Sequence, residues 1–333
     1  MSEGLVFTRQ IIVGEYMKVE VLTSGYVSMD HIIKLKSPAK VGFTSIVENQ
    51  SSANIYYGGC SVNIAYELCK LGIPAMPLIR VGKDYESIGF KSFLENAGVP
   101  TSGIIKVEED ITGYCYLLQD NNNEHITIFY PGAMDIKYAS GFKEDFFEDV
   151  KIGVITVASI DDNMDFFKKC KKFNIPIVFG MKDDMEAFPE YFLKGILNES
   201  KIIFANEVER ESIKKIQGIS DIKELFKEGK LDILVTTLGA RGSICYVRNG
   251  DNVVEKKIEA IKCTNVVDAS GGGDAYMSGF LYGYLKGYEA SDCCRLGTIM
   301  ASYIIQKEGC ISNAPGEETL LNDFNVRFKK EVG

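Results

Sequence analysis

Apolar positions along this chain follow two alternating rhythms. Val19 to Tyr26 is an apolar-rich run broken at Gly25, with Asp30 just beyond it. Gly58 and Gly59 then precede Val62, Ile64, Ala65, Leu68 and Cys69, a helical spacing closed by Leu71-Gly72. Ala75 to Val81 reads as a buried strand ended by Gly82, and Ser87 to Ala97 as a helix stopped by Gly98. After Asp135 the same order resumes. Core strands are predicted at Ile152–Ala158, Ile175–Phe179, Ile202–Phe204 and Ile233–Thr237, with helical segments between them. Ser243–Val247 and Val253–Ile258 read as a hairpin around Asn249-Gly250, and helices follow from Gly273 to Lys286 and from Ala290 to Gln306. Such strand–helix alternation predicts an α/β fold, a doubly wound and mostly parallel sheet.

Two stretches break the alternation. Ile32 to Asn54 is extended and mixed, while Gly103 to Pro131 alternates Thr112, Tyr114, Tyr116 and Leu118 with Ile126, Ile128 and Tyr130 around the turn Asp120–Glu124. The second stretch predicts a β-hairpin. Together they predict a small β-sheet lid, from about 32–55 and 103–131, beside a single domain spanning 18–333. Residues 1–17 read as an extension, with Met17-Lys18-Val19-Glu20 opening the first strand. A small sheet has exposed edges, so the lid is expected to cover a site and to join two copies as a homodimer.

Composition narrows the function. The chain has 333 residues, 46% hydrophobic, enough for a sizeable core. Its net charge is −9 and it has no long Lys/Arg run, which argues against nucleic acid or an anionic membrane as a partner. Lys168-Lys169 and Lys171-Lys172 read as the solvated face of a helix. Nine cysteines without CxxC spacing argue against a disulfide framework or a zinc site and suit a reducing cytoplasm. With His31 and His125 as its two histidines, the chain has little material for a histidine metal site or a Ser-His-Asp triad. No stretch approaches the roughly 18 uninterrupted apolar residues of a membrane span. A cytoplasmic protein that binds a small molecule is expected.

The candidate chemistry lies in Asp268-Ala269-Ser270-Gly271-Gly272-Gly273-Asp274-Ala275, which runs straight into a predicted helix. Free N–H groups and the positive dipole end suit that turn to an anion, and glycine lets a phosphate approach closely. Asp274 fits a base beside a phosphate under attack, or simply an acidic residue favoured in a first helical turn. The glycines fit an anion cradle or a tight turn. Asn206 and Glu209, taken alone, read as a helix start with exposed acids.

The wider pattern resembles the PfkB/ribokinase-like carbohydrate kinase family. That family's C-terminal signature runs Asp-Thr-x-Gly-Ala-Gly-Asp-Ala-Phe, against Asp268 to Tyr276 here. Gly58-Gly59-Cys60-Ser61-Val62-Asn63, ending in Leu71-Gly72, is similar to its N-terminal Gly-Gly signature. Gly25-x4-Asp30, Val81-Gly82-x-Asp84-x4-Gly89, Asn206-Glu207-Val208-Glu209 and Thr237-Leu238-Gly239-Ala240-Arg241-Gly242 match further motifs in the family's order.

The resemblance implies a ribokinase-like fold and an ATP- and Mg²⁺-dependent kinase acting on a primary hydroxyl of a small sugar or nucleoside. Asp274 would deprotonate the acceptor, and Gly271, Gly272 and Gly273 would hold the γ-phosphate. Asp30, Gly58, Gly59 and Asn63 would bind the acceptor. Asn206, Thr237, Gly239 and Gly242 would line the nucleotide, and Glu209 would meet Mg²⁺ through water.

Departures also count. Ala269 and Gly272 replace the usual Thr and Ala, which removes a hydroxyl from the monovalent-cation loop of some members and leaves that cation open as a further cofactor. Phe179-Gly180-Met181-Lys182 lacks the Asp-Pro that often follows the corresponding strand. Tyr56, Tyr114, Tyr116 and Phe129 fit either stacking on a nucleoside base or a lid core. The alternative function is a catalytically inactive sugar- or nucleoside-binding protein of the same fold.

Overall fold

The computed structural model describes residues 18–48, 50–119 and 125–329. The expected extension at 1–17 and the turn Asp120–Glu124 lie outside the described residues. The first half runs β1 (Val21–Ser24), β2 (Ser28–Lys34), β3 (Tyr56–Gly58), α1 (Cys60–Lys70), β4 (Ala75–Gly82), α2 (Phe90–Asn96), β5 (Ile104–Val107), β6 (Tyr114–Gln119) and β7 (His125–Tyr130). Then come β8 (Ile152–Ile155), α3 (Ile160–Lys172), β9 (Ile177–Gly180), α4 (Glu190–Glu199), β10 (Ser200–Asn206), α5 (Glu207–Gln217) and β11 (Ile233–Thr237). The chain finishes with β12 (Ser243–Asn249), β13 (Asn252–Ile258), α6 (Gly272–Leu285), α7 (Ala290–Ile304) and α8 (Glu317–Phe328).

Nine strands form one sheet in the order β13-β12-β11-β10-β9-β8-β1-β4-β5. Pairing is parallel from β5 across to β11, and antiparallel at β11–β12 and β12–β13. Every residue of β1, β4, β8 and β9 is buried, as expected for parallel strands covered on both faces. On one face α1, α6, α7 and α8 contribute Ile64, Leu68, Phe280, Ile299 and Phe324 to a core shared with Val154, Val178 and Val235. On the other, Phe166, Phe188, Phe192 and Ile213 cover Phe179, Ile203 and Leu234. Strand residues alternate between these two cores because successive side chains point to opposite faces. The doubly wound reading is therefore correct, and the Asn249-Gly250 hairpin forms as predicted.

A second sheet runs β3-β2-β6-β7, with β6 and β7 paired from Tyr114↔Tyr130 to Gln119↔His125. It contains the expected hairpin, but its composition differs from the span read off the sequence. Ile104–Val107 pairs in parallel with Ile79–Gly82 and so extends the main sheet. Much of the stretch between β2 and β3 is loop, touching strand geometry at the single bridge Leu35↔Val47. The chain leaves the main sheet for β6 through a joint in which Asp84 Oδ1 accepts from both Thr112 N and Thr112 Oγ1 at 2.8 Å. Gly82 is required there, because a Cβ would meet the Ile111 backbone at 2.1 Å.

Candidate active site

The cleft opens at the carboxyl ends of the parallel strands, where sheets of this class bind ligands. Thr156 beyond β8, Met181 and Lys182 beyond β9, Asn206 of β10 and Thr237 of β11 all line it. Gly273 and Asp274 from the start of α6, and Cys60 from α1, close the opposite side.

The glycine run forms an uncapped helix start. Gly271 is the N-cap of α6 at φ 75° and makes no side-chain cap, while Gly272 opens the helix. A Cβ on Gly271 would meet Cys310 O at 2.6 Å, whereas one on Gly273 would meet nothing within 4 Å. Gly271 is thus a packing requirement, and Gly273 leaves its surface bare. Asp268 braces the turn, its two carboxylate oxygens accepting from Ser270 N at 2.9 Å and Gly309 N at 3.1 Å.

Asn63 and Asp274, 211 positions apart, meet directly: Asn63 Nδ2 donates to Asp274 Oδ2 at 2.8 Å. One helical turn further along both helices, the Ser278 hydroxyl bridges Glu67 Oε2 (2.7 Å) and the Asp274 carbonyl (2.9 Å). Glu67 is fully buried, and that burial pushes its carboxyl well above the usual range. This paired contact fixes α1 against α6 and orients Asp274 from behind.

Asp30 sits on the lid strand β2, 7% exposed, with Ser28 Oγ donating to Oδ1 at 2.5 Å and Cys310 Sγ to Oδ2 at 3.8 Å. Burial raises its pKa to about 6 against those two hydrogen bonds, and the nearby Asp268 and Asp274 raise it further. Gly58 packs on this carboxylate, since a Cβ there would lie 2.6 Å from Oδ2. Gly59 has φ 97° and no room for a side chain, with Tyr26 O at 2.2 Å. Ser28 was legible in principle, being two residues from Asp30 on the same strand face. Cys310, 280 residues away, carried no local signal.

Asn206 and Glu209 form a capping box on α5: Glu209 N donates to Asn206 Oδ1 at 2.9 Å and Asn206 N to Glu209 Oε2 at 2.8 Å. The helix-start reading of this pair is therefore correct as structure, and both residues also face the cleft. Burial raises the Glu209 pKa, its hydrogen bond from Asn206 N and the charge of Lys182 oppose this, and Asp183 and Asp274 add to it. Among the described residues no group of three or more His, Cys, Asp or Glu is arranged to hold a metal. One carboxylate beside an anion turn instead suits Mg²⁺ carried mainly by phosphate oxygens and water. Thr237 lines the cleft, while Gly239 (φ 58°) and Gly242 (φ 90°) shape the tight loop behind it, where Leu238 N donates to Gly242 O at 2.8 Å.

The lid aromatics pack largely on one another. Tyr116 stacks on His31, Tyr114 contacts Tyr116 and Tyr130, and Phe129 meets Tyr26 edge-on. Tyr56 donates to Glu308 Oε2 at 2.9 Å. Lid core is the reading these contacts favour.

Comparison with known proteins shows the family. The family model for pfkB family carbohydrate kinases matches residues 19–317. A nucleoside kinase of Methanocaldococcus jannaschii is 30% identical over 306 residues, covering 90% of this chain and 94% of that protein. The crystal structure of the M. jannaschii nucleoside kinase superposes with a TM-score of 0.78 at 26% identity, over 93% of this chain and 99% of that one. The ribokinase of Thermotoga maritima shares the fold, with a TM-score of 0.74 at 20% identity over 93% and 100% of the two chains. Among the described residues no helix is long and apolar enough to cross a membrane. With its motifs in order, its cleft at the strand ends and a family match spanning most of its length, this chain belongs to the pfkB family of carbohydrate kinases, phosphotransferases that act on hydroxyl groups.

Proposed function

We propose that this enzyme transfers the γ-phosphate of ATP to a primary hydroxyl of a nucleoside. The observation that carries the reading is the 2.8 Å contact between Asn63 and Asp274 at the mouth of the α6 turn, which joins an acceptor wall to a phosphate turn. Asp274 takes the acceptor proton. Amides of Gly271, Gly272 and Gly273 hold the transferring phosphoryl group, an arrangement in which one preorganised donor is worth about 10²–10³ in rate. Asp30, Gly58, Gly59 and Asn63 hold the acceptor, the carboxylate and amide being suited to neighbouring hydroxyls. Thr237, Gly239, Gly242 and Asn206 line the nucleotide. Glu209 would hold Mg²⁺ through water, and the bound ion would supply neutralisation of phosphate charge. A nucleoside is favoured over a plain sugar because the M. jannaschii relative is a nucleoside kinase. The test is acceptor-dependent ADP release with adenosine, inosine, cytidine, ribose, fructose and 2-keto-3-deoxygluconate. Turnover with the sugars alone would move the acceptor to that class, and no turnover with any acceptor would favour a binding protein.

The Asp30 carboxylate gives this reading a pH signature. With a pKa of about 6 it is neutral below that pH and charged above it. Acceptor hydroxyls donate best to the charged form. Acceptor affinity is therefore expected to rise between about pH 5 and 7 and then level off, as calorimetric titration across that range would record.

The lid also supports a homodimer. β7 is an edge strand, and Ile126 and Ile128 are 51% and 52% exposed on it. Sedimentation velocity at micromolar protein is expected to give a dimer, and Ile128→Lys a monomer. A wild-type monomer would remove the proposal.

A further inference from the structure

Lys182 stands where the chain departs from its family's pattern, just past β9. The glycine before it matters: a Cβ at Gly180 would meet Met277 Cε of α6 at 2.6 Å, so the strand end lies close against that helix. Met181 is 4% exposed and fills the core, while Lys182 is exposed to the cleft. Of the residues lining that cleft, Lys182 is the one cation, facing Cys60, Asn206, Glu209, Thr237, Gly273 and Asp274. Among the described residues its ammonium forms no ion pair within 4.0 Å of a carboxylate, unlike Lys34, which meets Glu308 at 2.6 Å. Cys60, Asp274 and Glu209 raise its pKa against a desolvation that lowers it, so it carries its charge at neutral pH.

A lysine on an outer helix face would be solvated and silent. This one projects from a strand end between Thr156 and Asn206, into a cleft lined also by Asp274 and Glu209. The α6 turn offers neutral amides and a partial dipole charge, while Asp274 and Glu209 both repel a polyphosphate. A compact, mobile ammonium is suited to following phosphoryl oxygens as they move.

We propose that Lys182 is a catalytic residue that engages the γ-phosphoryl oxygens during transfer. This rests on the kinase reading above. In the step, the bond between the γ-phosphorus and the β,γ-bridging oxygen breaks and its electron pair leaves with ADP. The acceptor oxygen bonds to phosphorus as its proton passes to the Asp274 carboxylate. Lys182 keeps its own proton throughout and lowers the barrier by neutralising charge on the equatorial oxygens.

The experiment compares wild type with Lys182→Gln and Lys182→Arg in turnover and in equilibrium binding of ADP and of the nonhydrolysable analogue AMP-PNP, both with Mg²⁺. Lys182→Gln is expected to lower kcat by about 10²–10³. It should weaken AMP-PNP by about tenfold or more, leave ADP and acceptor binding within about twofold, and leave the thermal midpoint unchanged. Lys182→Arg should recover part of both losses. A Lys182→Gln enzyme with kcat within about threefold of wild type, or with equal losses for ADP and AMP-PNP, overturns the proposal. Should wild type turn over no acceptor, the kinase reading fails on its own, and the contrast between AMP-PNP and ADP still decides whether Lys182 meets the γ-phosphate.

Discussion

Replacing Asp274 by Asn is expected to lower kcat by about 10²–10⁴ while leaving acceptor and ATP affinities within about threefold of wild type. The substitution is close to isosteric. Its side-chain oxygen can still accept from Asn63 Nδ2, now at 2.8 Å, and the backbone carbonyl still accepts from Ser278 Oγ at 2.9 Å. The α1–α6 packing that holds the turn is therefore retained. What disappears is the carboxylate proposed to receive the acceptor proton as the new P–O bond forms. Steady-state ADP release together with calorimetric binding separates the two effects. Near-normal turnover would remove Asp274 as the base, and a parallel collapse of binding would make it a structural residue.

The largest effect on stability is expected from Arg80→Met. Arg80 lies in β4 and Asp162 in α3, with their side chains 2% and 1% exposed. The guanidinium meets both carboxylate oxygens, at 2.5 and 2.8 Å, and its Nε donates to Ala133 O at 2.8 Å. Ser159 Oγ donates to the same carboxylate at 2.6 Å. Removing the arginine leaves a buried carboxylate with a hydroxyl in place of a counter-ion, and also orphans the Ala133 carbonyl. Breaking such a pair from one side costs about 3–5 kcal/mol, a large share of the roughly 5–15 kcal/mol that holds a typical domain together. Urea unfolding followed by circular dichroism would show the loss. The double variant Arg80→Met/Asp162→Leu is expected to regain much of it, because two apolar groups leave no uncompensated charge. A single variant as stable as wild type would mean that the pair contributes little.

Much of this protein is written locally. The 3.6-residue spacing of Val62, Ala65 and Cys69 determines α1, and the β6–β7 hairpin follows from its alternation around a polar turn. The Asp268–Asp274 loop announces a bare helix start because glycine strips away every side-chain cap. These features depend on neighbours within a turn or two, so the chain encodes them without reference to the fold.

Pairing between distant segments is a different kind of information. Nothing near Ile104–Val107 says that it joins β4 rather than the lid, because an extended run carries no label for its partner. Asn63 reaches Asp274 across 211 positions and Cys310 reaches Asp30 across 280. Arg80 finds Asp162, and Lys182 enters the cleft because β9 ends between β8 and β10. Strand order and helix packing decide each of these meetings. The sequence by itself determined which chemical groups the enzyme has and which turns present them; the tertiary structure alone decided which groups face one another, since side-chain periodicity is local and a site assembled at the ends of several strands is not.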